Sequence, residues 1–333
     1  MITGLLIFRD KLKAFYAKGG VYIRHILRFA LAFLATYVVG RVIGNGSMIS
    51  SPLICAAIAL ICAFVPLNIT VVVSTVYIII HLFGISLELA VIGAAVILVV
   101  YLLYFRFTPK TGFLLILTPL LFCLRIPYIV PVIAALTVGM SGIVPSVCGV
   151  FIYYLVEFAA KNANAIITMD ADNALQNITF IFNNILTNRE LIVIAVSFAV
   201  VITMIYLIKR LSVNYSWIVA IIAGCVTDAL IQIIAFSVLE VEYNVFMMLG
   251  GHLLAILVGL ALNLFIFTVD YSAAEFVQFE DDDYYYYVKA IPKASVAKRD
   301  VTVKRINEAG KNKGFVHTES YDDENGEESE EEI

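Results

Sequence analysis

The chain has 333 residues, of which 62% are apolar and 14% charged, with a mean hydropathy of +0.95 and a formal net charge of −4. Soluble domains have about half apolar and about a quarter charged residues, so this composition excludes a soluble globular enzyme. It also excludes a disordered or collagen-like chain. The sequence predicts an all-α, multi-pass membrane protein whose main surroundings are a lipid bilayer.

Charge divides the chain near residue 270. Residues 1–269 carry 14 Lys and Arg against 9 Asp and Glu, whereas residues 270–333 carry 8 against 17. We predict a small cytoplasmic tail with β-like stretches over 270–306 and a disordered acidic end over 307–333. A tail of this kind could bind a cytosolic protein partner; nothing in it indicates nucleic-acid binding.

The apolar runs predict the membrane-embedded part. Residues 1–20 place apolar side chains near helical spacing among basic ones, which indicates an amphipathic helix on the cytoplasmic surface. Crossing about 30 Å of hydrocarbon takes about 20 helical residues. On this basis residues 21–269 form a bundle of about ten transmembrane helices, at 25–44, 48–65, 68–87, 88–107, 111–124, 128–141, 144–160, 190–208, 216–239 and 244–269.

Two of these runs are short and one connection is amphipathic. The runs 111–124 and 128–141 reach only about 21 Å each, so they are either thin crossings or a re-entrant pair. Residues 171–188 carry one apolar stripe opposite several Asn and Gln residues, which favours an interfacial helix on the outer surface over a bare loop.

The distribution of Lys and Arg predicts the orientation. With the N-terminus inside, ten basic residues fall on the inner side of the bundle and four on the outer side. Both termini are then cytoplasmic, and we expect the protein in the plasma (inner) membrane.

Proline and glycine interrupt one stretch of the bundle. A proline within a membrane helix removes a backbone hydrogen bond that lipid cannot replace, so such breaks often border a substrate path. Tight turns at the ends of spans are the alternative. The interrupted region contains Pro119, Pro127, Pro131, Gly139, Gly142 and Pro145.

An acidic residue lies in the middle of the ninth run. Asp228 costs about 2.5–3.5 kcal/mol at the centre of a membrane helix unless it is paired or protonated, so it should face other helices. His81 and His252 are its candidate partners, and Thr227 and Gln232 are expected to lie near it. The group is either a proton relay or a set of hydrogen bonds that holds helices together.

Two further features concern packing and charge. Gly251, Ala255 and Gly259 repeat at four-residue spacing, which lets another helix approach closely. Arg125 separates the two short runs. If those runs cross the membrane it reaches the outer headgroups, and if they re-enter it lies near the midplane, where it could contact an anion.

No cysteine, histidine or phosphate-binding motif indicates a metal or cofactor. Gly139-Met140-Ser141-Gly142 resembles the GxSG motif of rhomboid intramembrane proteases, and Gly251-His252-Leu253-Leu254-Ala255 with Gly259 is similar to their GHxxGxxxG motif, with one departure. The resemblance implies Ser141 as nucleophile and His252 as its base. Against it, His81 lacks the Asn four residues further on that the resemblance would require, because Ile85 is at that position. The predicted topology also runs the two helices in opposite directions, whereas they are parallel in rhomboids.

Three functions therefore remain. The first is a permease-like transporter of a small solute or ion, with proton coupling through Asp228 and a histidine. The second is a membrane scaffold or accessory subunit that recruits a cytosolic partner through residues 270–333. The third is the rhomboid-like protease.

Overall fold

The computed structural model describes residues 2–43, 48–168, 174–213, 215–241, 243–267, 275–280 and 285–290. Two compact units are present, one over Met1–Asp270 and one over Tyr271–Ile333. The first unit is helical. Its helices are α1 Ile2–Ile43, α2 Pro52–Phe64, α3 Leu67–Phe83, α4 Leu87–Phe107, α5 Gly112–Cys123, α6 Ile129–Thr137, α7 Ile143–Ile167, α8 Ala174–Leu186, α9 Arg189–Ile208, α10 Ser216–Val238 and α11 Val245–Leu262.

The described residues form a helical membrane protein, but the prediction of ten spans is wrong. Six helices are long and apolar enough to cross a bilayer, over Lys18–Ile43, Leu87–Phe107, Gly139–Ile167, Asn177–Ile208, Ser216–Val238 and Val245–Phe265. Three other apolar helices, α2, α3 and α5, have 13, 17 and 12 residues, and α6 has nine. The predicted runs included turn residues, so the helices within them are shorter than the runs.

Helix α1 differs from the predicted division at residue 20. The expected surface segment and the first span form one continuous helix of 42 residues, Ile2–Ile43. Gly19 and Gly20 do not interrupt it, because a glycine inside a helix lowers helix stability by about 1 kcal/mol without preventing the conformation. Only its later part, Lys18–Ile43, is apolar enough to span.

Side-chain caps explain where several helices begin. Ser86 Oγ accepts a hydrogen bond of 3.0 Å from the Leu89 amide at the start of α4. Asn188 Oδ1 accepts from the Glu190 amide at 3.0 Å before α9, and Asn244 Oδ1 accepts from the Met247 amide at 3.1 Å before α11. Each cap satisfies a backbone N–H that has no partner in the first helical turn.

The buried side chains form two main apolar clusters that share α5 and α7. One cluster joins these two helices to α1, α2, α3, α4 and α8, and the other joins them to α6, α9, α10 and α11. Leu115 and Leu155 belong to the first cluster, and Leu114 and Tyr154 to the second. Helices α5 and α7 therefore separate two packed halves of the bundle.

The second unit contains a two-stranded antiparallel hairpin. Strand β1, Glu275–Glu280, pairs with β2, Tyr285–Ala290, with Glu275 opposite Ala290 and Glu280 opposite Tyr285. Both strands lie within the segment 270–306, for which the sequence predicts β-like stretches. The predicted disordered end, 307–333, lies outside the described residues.

Candidate functional site

Asp228 is the centre of a buried polar group that joins three helices. It lies on α10 with 1% of its surface exposed. Its Oδ1 accepts hydrogen bonds from the Ser197 hydroxyl of α9 and, at 2.9 Å, from Gln232 Nε2 one turn further along α10. Its Oδ2 lies 3.1 Å from Nε2 of His252 on α11. The carboxyl group therefore has a side-chain partner from α9, α10 and α11.

The hydrogen bonds of His252 determine how its protons are placed. Nδ1 lies 2.8 Å from the carbonyl oxygen of Met248, and because a carbonyl oxygen only accepts, Nδ1 carries a hydrogen. The contact between Nε2 and Asp228 Oδ2 then holds one shared proton. With the proton on Nε2 the pair is an ion pair, and with the proton on Oδ2 both groups are neutral.

An aromatic ring packs on the histidine of this pair. The ring of Tyr128, one residue before α6, stacks on the His252 ring with centroids 4.2 Å apart. A Cβ atom at Gly251 would lie 2.6 Å from Tyr128 Cε2 and closer still to Cδ2, so only glycine allows this approach. At Gly259 a Cβ atom would lie 2.8 Å from side chains of Ile221 and Val132. The predicted small-residue stripe of α11 therefore packs against α6 and α10.

These contacts account for a carboxyl group inside the membrane. An unpaired buried charge is strongly unfavourable, whereas a carboxylate with several donors, or a carboxyl group that shares its proton, can persist. Gln232 Oε1 is buried and has no hydrogen-bond donor among the described residues. A buried amide oxygen that lacks a donor costs about 1–3 kcal/mol.

Two predicted members of the site lie elsewhere. His81 packs edge-on against Tyr77, with centroids 4.6 Å apart, and its Nε2 has no hydrogen-bond partner in the described part of the chain. The Thr227 hydroxyl donates to the Ala223 carbonyl at 2.8 Å and contacts Met204 Sδ at 3.0 Å. Neither is a partner of Asp228. Thr227 is adjacent to Asp228 on α10, and adjacent residues of a helix point in different directions. His81 lies on α3, and its position in the sequence does not determine whether α3 packs against α10.

The interrupted region consists mostly of helix boundaries. Pro131 and Pro145 occupy the first turns of α6 and α7, where a backbone N–H has no partner within the helix, and Pro127 lies in the turn before α6. Pro119 alone lies inside a helix, α5. The other members of the predicted set form the 3-10 turn Gly139–Gly142 between α6 and α7. Gly139 has φ of 79°, a left-handed conformation that suits glycine. Most of these residues therefore lie in turns or first turns at helix ends, which was the stated alternative, and Pro119 lies within the continuous helix α5.

Arg125 lies in the turn between α5 and α6. It is exposed and has φ of 61°, the left-handed conformation that reverses the chain here. The Arg125 amide donates to the Phe122 carbonyl at 2.9 Å, which closes the end of α5. Its position is a helix end, and no described residue converges on it as part of an anion site.

The serine and histidine of the rhomboid-like motifs are not paired. The exposed Ser141 hydroxyl donates to the Val138 carbonyl at 3.4 Å. Both ring nitrogens of His252 are engaged, one by Met248 and the other by Asp228. The nucleophile and base that the resemblance implies are therefore absent as a hydrogen-bonded unit in the described residues.

Two contacts of the site were not predicted from the sequence. Ser197 gave no signal, because a single serine in an apolar run is common and usually bonds its own helix. Tyr128 is the first residue of the run 128–141, where an aromatic residue is equally well explained by the membrane interface.

Comparison with models of known families, with curated proteins and with solved structures gives no significant match for this chain.

Proposed function

We propose that the protein is a multi-pass, permease-like transporter of a small solute or ion, in which Asp228 and His252 carry the coupling proton. In this proposal both termini are cytoplasmic, the membrane is the plasma membrane, and α8 lies at the outer surface. The observation that carries the proposal is the contact of 3.1 Å between Asp228 Oδ2 and His252 Nε2 deep in a bundle of membrane helices.

The geometry supports proton coupling because the pair has two states that differ by the position of one proton. Nδ1 of His252 stays bonded to the Met248 carbonyl in both states, so the ring keeps its orientation while the proton moves. A change of charge on Asp228 alters the strength of the hydrogen bonds from Ser197 and Gln232. The packing of α9, α10 and α11 then depends on protonation.

The surroundings of the pair support a path on the α6 side. Helix α6 has only nine residues, and Tyr128, which directly precedes it, stacks on His252. A helix of that length reaches about 14 Å, less than half of a hydrocarbon core. In the described conformation Asp228 and His252 are 1% and 5% exposed, so transport requires a second conformation in which Tyr128 leaves His252 and water reaches the pair.

A second candidate function, the scaffold or accessory subunit, is favoured by the same burial. A carboxyl group with partners on three helices is an effective structural crosslink, and it needs no contact with water for that purpose. In this case the acidic residues 270–333 would bind the cytosolic partner. The two functions differ in whether the Asp228 proton exchanges with solvent during activity.

The test is uptake by proteoliposomes that contain the full chain and a trapped pH-sensitive dye. A panel of amino acids, sugars, small carboxylates and inorganic ions is supplied with and without an inward proton gradient. We expect one class to enter with protons, and Asp228→Asn to reduce that uptake to the level of empty liposomes, because an amide cannot carry the proton.

Thr227→Val is the matched control, since Thr227 is adjacent to Asp228 but bonds Ala223 and Met204 instead. Its uptake should equal that of the wild type. Gradient-dependent uptake that survives in Asp228→Asn would contradict the transport proposal and support the scaffold.

A further inference from the structure

A polar cavity of about 550 Å³ lies between the later part of α7, the end of α8 and the start of α9. Most of the side chains that line it are charged or carry an amide or a hydroxyl: Glu157, Phe158, Lys161, Asn162, Asn183, Asn184, Thr187 and Asn188. The Lys161 side chain is 68% exposed and Asn183 is exposed, so water enters the cavity. In the proposed topology the cavity opens at the outer surface, because α8 forms part of its wall.

Glu157 supplies the acidic side chain of this cavity. Its Oε1 lies 3.0 Å from Lys161 Nζ and accepts a hydrogen bond of 3.2 Å from the Tyr153 hydroxyl. The Glu157 side chain is 21% exposed. The carboxyl group is therefore held in a fixed position on α7 and still reached by the water of the cavity.

A second carboxyl group, that of Glu190, lies next to the wall of the cavity. Asn188 lines the cavity, and its Oδ1 accepts a hydrogen bond of 3.0 Å from the Glu190 amide in the first turn of α9. Glu190 is half-buried, contacts the Tyr154 hydroxyl and interacts electrostatically with Glu157 and Lys161. Because two carboxyl groups here share one ammonium, the excess negative charge attracts protons from the water of the cavity.

The guanidinium of the adjacent Arg189 is engaged elsewhere. Arg189 is exposed, and its Nη1 donates to the carbonyl oxygen of Leu239, the residue after α10, at 3.3 Å. Among the described residues the cation that acts on the Glu190 carboxyl group is that of Lys161. The charge at Glu190 therefore depends on groups that water can reach.

The arrangement of α9 and Tyr128 connects Glu190 to the buried pair. Glu190 and Ser197 are seven residues apart on α9, which places them on one face about 10 Å apart along the axis. The Ser197 hydroxyl donates to Asp228. Tyr128 stacks on the His252 ring and interacts electrostatically with both Asp228 and Glu190. Tyr128 is therefore close to the outer carboxyl group and to the pair at the same time.

We propose that Glu190 is the outer proton-transfer residue of the Asp228–His252 pair, which takes protons from the polar cavity and passes them to the pair when Tyr128 moves aside. This role rests on the proposed transport function. It assigns the polar cavity as the outer end of the proton path and Tyr128 as the side chain that closes the path in the described conformation.

The proton balance of the step is simple. Once the pair has released its shared proton on the inner side, Asp228 is a carboxylate and His252 is neutral, with its hydrogen on Nδ1. Protonated Glu190 then gives its proton, through water in the space that Tyr128 leaves, to the contact between Asp228 Oδ2 and His252 Nε2. The Glu190 carboxylate that remains takes a new proton from the cavity.

The test follows the protonation of Asp228 from one side of the membrane. The full chain with an affinity tag at its C-terminus is placed in unilamellar vesicles, which are separated by whether the tag binds a resin. With the C-terminus cytoplasmic, vesicles that do not bind expose the outer face. The external pH is lowered by rapid mixing while the interior stays buffered, and the protonated-carboxyl infrared band that Asp228→Asn lacks is recorded over time.

From the outer face, Glu190→Gln should slow the appearance of this band about a hundredfold, the lower end of what a positioned proton-transfer group contributes. From the inner face, Glu190→Gln and the wild type should have equal rates. Glu190→Asp keeps a carboxyl group and should recover most of the rate. Glu88→Gln is the matched control and should equal the wild type, since Glu88 also lies in the first turn of a membrane helix but lines a different cavity.

The outcomes separate this role from the transport function. Equal rates for Glu190→Gln and the wild type from the outer face, or equal slowing from both faces, would overturn the role of Glu190 and leave the transport proposal standing. An Asp228 band that does not respond to pH in the wild type would contradict proton coupling itself, and the role of Glu190 with it.

Discussion

His252→Leu is expected to lower the free energy of unfolding at neutral pH by about 3–5 kcal/mol, the cost of removing one partner from a buried ion pair. The substitution removes the Nε2 contact with Asp228 Oδ2 and leaves the carboxyl group with Ser197 and Gln232 as its side-chain partners. Unfolding in mixed micelles, followed by circular dichroism, measures the change.

The double variant His252→Leu with Asp228→Asn separates this cause from a general packing defect. An amide carries no charge, so most of the loss caused by His252→Leu should be recovered when Asp228 is also replaced. Costs that simply add would mean that the two side chains do not interact energetically. That result would contradict the shared proton.

Gly251→Ala and Gly250→Ala should have opposite effects although the residues are adjacent on α11. A Cβ atom at Gly251 meets the Tyr128 ring at 2.6 Å or less, and overpacking of this kind costs about 1–3 kcal/mol. Apart from its chain neighbours and the backbone of its own helix, no atom of the described residues lies within 4 Å of a Cβ atom at Gly250, and alanine is the better helix former by about 1 kcal/mol.

The midpoint of thermal unfolding in one detergent compares the two variants directly. We expect a clear decrease for Gly251→Ala and an unchanged or higher midpoint for Gly250→Ala. Equal effects would show that Tyr128 does not pack on this face of α11.

Hydropathy located nearly every helix but overestimated how many cross. The run 48–65 contains a helix of 13 residues, Pro52–Phe64, and the run 128–141 contains one of nine, Ile129–Thr137. Turn residues such as Ile126 and Val138 are as apolar as the helices they join, because they pack against the second apolar cluster. Composition therefore measures contact with an apolar environment, whereas crossing depends on unbroken helical length.

The candidate site was predicted where the reason was local and missed where it was not. Gln232 is one helical turn from Asp228, so the sequence predicts their contact, which the structure contains at 2.9 Å. Choosing between His81 and His252 required knowing that α11, not α3, packs on α10. Ser197 belongs to α9 and Tyr128 precedes α6, and a single sequence contains no distance between helices.

Proton coupling requires that the Asp228–His252 pair exchanges its proton with the aqueous phase. Infrared difference spectroscopy of the full chain in lipid, recorded as the pH is changed in H2O and in D2O, observes the carboxyl group itself. The account predicts a protonated-carboxyl band that appears on acidification, shifts in D2O, and is absent from Asp228→Asn. If the carboxyl band of Asp228 neither changes with pH nor shifts in D2O, the pair is sealed from water and structural. That result would contradict proton coupling through Asp228 and His252.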